Sequence, residues 1–223
     1  MSRIVKDPEE RKYELVDAAE TLFMEKGYSK TSIRDIVEKV GVAHGLFYYY
    51  FDSKSDLINA IVERMFKKMD KILIDLRSNQ ELNAQEKLLL YFDKVSEMKK
   101  GKEYLIGFVE DEEGMLFYHE LLNRIIDKTT PHLTEIIKQG IEEGVFDTDY
   151  PEEAVRFILT GRGNVRIPKN VENIDELKTS LMASGDIIER VLGAEEGSIK
   201  SLFEEKWDDF EDNIKTMYEE GKI

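Results

Sequence analysis

Apolar residues recur every three or four positions along nearly the whole chain, and long alternating runs of Val, Ile and Thr are absent. That period lines one side of successive α-helices and predicts an all-α fold. The first helix opens at Asp7 and Pro8, with Glu10 placed to complete a capping box. Its apolar stripe is Leu15, Ala18, Ala19, Leu22 and Phe23, and Gly27 closes it. A second helix, capped by Thr31 or Ser32, buries Ile33, Ile36, Val37 and Val40 and ends at a left-handed Gly41. A third covers 42–49. A fourth starts at Ser53, with Asp56 completing its cap, and runs to about Leu76.

Residues 78–84 read as a loop, and further helices are predicted over 84–99, 103–112, 114–143, 151–166, 174–192 and 198–219. Pro131 is expected to kink or split the helix that contains it. The division drawn from this pattern is a three-helix domain over 1–55 and a larger helical domain over 56–223.

Composition narrows the chemistry. The 223 residues hold no cysteine, which excludes disulfides, thiolate metal sites and cysteine nucleophiles. The first residues, MSRIVKDPEE, contain no apolar signal core, and no window is long and apolar enough for a membrane span. A cytoplasmic protein is expected. The net charge of −15 argues at first against nucleic acid, but its distribution alters that reading. Residues 1–78 hold 14 Lys+Arg and 14 Asp+Glu; residues 79–223 hold 18 and 33. The acidic excess therefore lies wholly in the later part, which would repel phosphate and leave the neutral end to meet it.

That neutral end contains TSIRDIVEKVGVAHGLFYYYFDSKSDL, residues 31–57. Two short helices joined by a glycine turn form the geometry that places side chains in the DNA major groove. Packing of Ile33, Ile36, Val40, Phe47, Tyr50 and Phe51 leaves Thr31, Ser32, Arg34, Ala43, His44, Leu46, Tyr48, Tyr49 and Lys54 facing outward. Gly45 allows close approach, and the helix starts near Thr31 and Ser53 offer backbone N–H groups to phosphates.

Residues 9–57 resemble the N-terminal domain of the TetR family of transcriptional repressors. The likeness rests on Glu25-Lys26-Gly27-Tyr28, Thr31-Ser32-Ile33, Ile36-Val37, Gly41-Val42, Gly45, Phe47-Tyr48, Tyr50-Phe51 and Lys54, in that order. It implies that Tyr48 and Lys54 contact phosphates and that Arg34, His44, Leu46 and Tyr49 approach base edges. Ala43, His44 and Leu46 stand where the family often carries Ser/Thr, Lys/Arg and Thr/Ser, so the surface is less basic and the salt slope should be shallower.

The resemblance further implies a homodimer on a palindromic operator in double-stranded DNA, released by a small-molecule effector. The dimer would use 151–166 and 174–192. Tyr104, Leu105, Phe108, Met115, Tyr118, Leu122, Phe157 and Arg162 would line the effector pocket. The apolar stripe of 198–219 leaves open whether it packs on the body or extends the dimer.

Rival chemistry finds little support. Glu110–Glu113 with His119 hints at a metal site, yet no Glu-x-x-His pair appears, and there is no nucleophile signature or phosphate loop. No enzyme activity, metal or cofactor is expected. The alternative is an acidic helical interaction module that kept the N-terminal fold without useful DNA affinity.

Overall fold

The computed structural model describes residues 7–99, 112–162 and 174–219. Among them there are helices and no strand: α1 Pro8–Lys26, α2 Ile33–Val40, α3 His44–Tyr50, α4 Lys54–Ser78, α5 Ala84–Lys99, α6 Glu112–Glu142, α7 Pro151–Arg162, α8 Ile174–Leu192, α9 Lys200–Glu205 and α10 Trp207–Glu219. No helix among the described residues is long and apolar enough to cross a membrane. The helix predicted over 103–112 lies almost wholly outside the described residues.

Local chemistry sets most of the helix ends. Asp7 caps α1, but it accepts from Glu9 N–H (2.9 Å) and forms no reciprocal box with Glu10. Ser32, not Thr31, caps α2, and Asp35 completes a full capping box. Gly41 takes φ 74°, ψ 37°, a conformation only glycine adopts at little steric cost. The Ser53–Asp56 box is present, with N–H to side-chain distances of 3.1 and 3.3 Å.

Of the two effects expected of Pro131, a kink or a split, the split does not occur: α6 runs from Glu112 to Glu142 through it. The proline ring lies on the solvent side, where water can serve the carbonyl it frees, while Thr129, Thr130 and Leu133 anchor the buried side. The predicted helix over 198–219 is two helices, broken at Lys206.

The chain divides into two compact units: Met1–Lys68 with Met98–Met115, and Met69–Glu97 with Leu116–Ile223. In the first, Leu15, Ala19 and Phe23 of α1 are buried together with Ile36, Val37, Phe47, Phe51, Leu57, Ile58 and Ile61. Arg64 of α4 forms ion pairs with Asp17 and Glu20 of α1, fixing the rotation of α4 about its axis.

The second unit has a main core that includes Leu73, Leu88, Leu133, Ile137, Ile158 and Ile188. Lys87 is buried beside it, its ammonium donating to Gln139 Oε1 (2.7 Å) and the Arg77 carbonyl (3.3 Å). Part of the C-terminal stripe packs on the body: Trp207 and Ile214 bury themselves on Leu177, with Ile174, Leu181 and Met182 beside them. Elsewhere on α8, Gly185 admits the start of α9, since a Cβ there would stand 2.8 Å from the Lys200 Cα.

A buried carboxylate locks that junction. Glu189 of α8 accepts from the backbone N–H groups of Gly197, Ile199 and Lys200 at 2.9, 2.8 and 2.7 Å. Burial pushes its pKa up, but the three donors outweigh burial and hold it below the ordinary glutamate value. Glu189→Ala should therefore cost roughly 2–4 kcal/mol of stability at pH 7, because it strands those donors. Against Glu189→Gln, the wild-type advantage should be full above pH ~4.3 and shrink as pH falls through the lowered folded value. Urea unfolding of both variants at pH 7 and in acid measures this.

Candidate nucleic-acid interface

α3 has seven residues and cannot persist alone. Phe47 and Phe51 are buried, with ring centroids 5.7 Å apart, and pin one side of it to the first unit. The opposite side carries Ala43, His44, Gly45, Tyr48 and Tyr49, all exposed. Tyr48 is 52% exposed and Tyr49 74%, which is unusual for aromatic rings with no apolar surface over them. His44 and Tyr48 lie one turn apart with their rings tilted to each other (5.4 Å between centroids), and Tyr49 meets Tyr50 edge-on (4.8 Å). A Cβ on Gly45 would meet nothing within 4 Å, so this face is open. Leu46 is half-buried rather than outward, its chain lying along the edge of the packed side.

The residues around α2 divide differently from the expectation. Ser32 and Arg34 are exposed as predicted. Thr31 is not: it is buried, and its hydroxyl donates to the Gly27 carbonyl (2.8 Å) and, more weakly, to that of Leu22 (3.3 Å). It ties the end of α1 to the start of α2. Lys54 is likewise turned inward. Its ammonium donates to the Tyr28 and Thr31 carbonyls, both at 2.9 Å, and stands 4.0 Å above the Tyr28 ring. Both residues lose the outward orientation that polarity alone suggested, because carbonyls of the turn between α1 and α2 lie within their reach.

Electrostatics follow one theme. Arg34 pairs with Glu38 (2.7 Å), Lys26 with Asp35 (2.8 Å) and Lys39 with Glu25 (3.4 Å). Lys26 chiefly, helped by Ser32, holds the Asp35 carboxyl well below the usual range. Glu38 raises the pKa of Arg34. Helix starts expected to greet phosphates already carry acids: Ser32 N–H donates to Asp35, and Asp52 and Ser53 N–H donate to Asp56. Glu38 was missed as part of this surface, although its position four residues after Arg34 is the standard pairing distance on a helix.

The residues predicted to line an effector pocket are described only in part. Tyr118 and Leu122 are half-buried on α6. Phe157 is 61% exposed on α7, so it lines no enclosed cavity; its neighbours Ala154 and Ile158 take the buried side instead. Tyr104, Leu105 and Phe108, and the side chains of Met115 and Arg162, lie outside the described residues. Among the described residues no group of three or more His, Asp or Glu is gathered for a metal ion.

Comparison with known proteins accords with this geometry. Residues 15–61 match the family model "Bacterial regulatory proteins, tetR family", and residues 108–177 match "Tetracyclin repressor-like, C-terminal domain". The chain is 25% identical over 187 residues to the uncharacterized HTH-type transcriptional regulator YfiR of Bacillus subtilis, covering 78% of this chain and 85% of YfiR. It shares its fold with reduced NemR of E. coli (TM-score 0.59, 18% identity, 82% of this chain and 97% of that one). The same holds for SmeT, the repressor of a Stenotrophomonas maltophilia multidrug efflux pump, in its complex with triclosan (TM-score 0.55, 19% identity, 84% and 93%). With two family models in chain order, described residues that are helical without a strand, and an exposed face on α3, the chain belongs to the TetR family of transcriptional regulators, a family of DNA-binding proteins and not of enzymes.

Proposed function

We propose that this chain is a cytoplasmic repressor that binds a palindromic operator as a homodimer and leaves it when a small organic effector binds. Residues 1–55 read DNA, and 56–223 hold the effector and the dimer contact. The observation that carries the reading is the open face of α3, with Tyr48 and Tyr49 projecting from a helix anchored by Phe47. Tyr48 and Ser32 suit phosphates, which fix register. His44, Tyr49, Arg34 and Ala43 suit base edges, the last by apolar contact with a thymine methyl, while the half-buried Leu46 is turned away from that role. Gly45 lets the backbone come close.

A homodimer is favoured by the large apolar side chains left on the second unit. Phe157 of α7 and Ile187 of α8 (51% exposed) project from the two helices whose other sides are buried. Two copies would carry their reading helices to half-sites about one DNA turn, or ~34–36 Å, apart. The effector reading draws on SmeT, which is seen with triclosan. An effector releases DNA if it binds better to a state with wrongly spaced reading helices.

Binding of the full-length protein to DNA flanking its own gene tests the function directly; failure to retain any duplex would favour the acidic interaction module. Tyr48→Ala with Tyr49→Ala should weaken binding at least ~10-fold while helicity and dimer mass stay unchanged. Glu38→Gln frees Arg34, so affinity should rise and the slope of log K against log salt should steepen by about 0.9. Phe157→Glu with Ile187→Glu should give monomers by light scattering.

A further inference from the structure

We infer that Lys54 is a positioning residue, a clasp that closes the loop holding α2 and α3, and not a phosphate contact. The inference rests on the DNA-reading function proposed above. Lys54 opens α4, only a few residues after α3 ends. Its two carbonyl partners, Tyr28 and Thr31, lie in the turn that precedes α2, 26 and 23 residues back along the chain. Between those points lie α2, the Gly41 turn and α3, and nothing else.

An ammonium has three donors. Here two go to carbonyls at 2.9 Å, and the Tyr28 ring face occupies the third side at 4.0 Å. A phosphate would have to displace one of these partners to gain a full hydrogen bond. The receiving turn is itself built to be rigid. Gly27 ends α1 at φ 83°, Thr31 N–H donates to the Tyr28 carbonyl (3.1 Å), and Tyr28 packs on the buried Phe23 (5.2 Å). Lys54 thus ties the start of α4 to a fixed point. Helices of eight and seven residues draw their stability from what surrounds them, so their angle follows from this closure. Burial also pushes the lysine pKa down, a cost tolerated because the donors are satisfied.

The test measures affinity against salt for full-length wild type, Lys54→Met and Tyr28→Leu. The duplex is one that the wild type selects from a random pool, and the temperature is well below every unfolding midpoint. A clasp predicts that Lys54→Met loses affinity roughly tenfold, the size of a lost charged hydrogen bond, with the wild-type salt slope intact. A slope reduced by about one would make Lys54 a phosphate contact and overturn the inference. Unchanged affinity would overturn it too, leaving Lys54 as a stabilising residue only.

Tyr28→Leu removes the ring and keeps the carbonyls; it should shift affinity the same way by less, and it stands in if Lys54→Met does not fold. If the wild type selects no duplex, the DNA-reading function fails rather than the clasp. Amide exchange over 28–50 then decides: faster exchange in the variant upholds the closure, and equal exchange refutes it.

Discussion

A helix of two turns does not hold its shape in water, because few of its backbone hydrogen bonds repay the cost of starting it. Every functional property of α3 therefore depends on the burial of Phe47, which sits with Phe51 against the packed side of the first unit. Burying such a ring contributes roughly 2–3 kcal/mol, a large share for so short an element. It also settles which side chains are left over. Tyr48 and Tyr49 are exposed because Phe47 is not, and the interface is the remainder of a packing problem solved from the inside.

Charge is handled in a similar way. The first unit carries cations beside the reading helix, but Arg34, Lys26 and Lys39 each face an acid, and Lys54 faces carbonyls. Phosphates would have to compete with partners already in place. Long-range attraction of phosphate is correspondingly weak, and under the proposed function discrimination would come from fit at close range, from the tyrosine rings and the histidine that α3 exposes. The acidic later part of the chain adds repulsion that disfavours loose, sequence-blind association.

The parts of this molecule that were legible in the sequence are those written in neighbouring residues. Asp7 with Pro8, the glycines at 27 and 41, and Ser53 with Asp56 mark helix ends by local chemistry, and the structure places the ends there. The hidden parts depend on residues far apart in the chain. Thr31 and Lys54 looked like surface polar residues until the Gly27, Tyr28 and Thr31 carbonyls came within reach. Lys87, in a stretch that reads as an ordinary amphipathic helix, is buried because Gln139 and the end of α4 supply acceptors. Phe157 reads as core by its type and stands in solvent. Periodicity shows which residues share a face; it does not show which face meets a neighbour.

The seating of α9 and α10 on α8 bears on which apolar surface this chain keeps from water. Leu177 and its neighbours form an oily flank that Trp207 and Ile214 already cover, and Gly185 lets the start of α9 close in beside them. One helix thus has one flank shut from within and one left to the outside. A chain trimmed of its last two helices would open Leu177 and its neighbours to water and lose the free energy that this burial supplies. The tail, in this light, is a cover that the body needs in order to stay dry on that side.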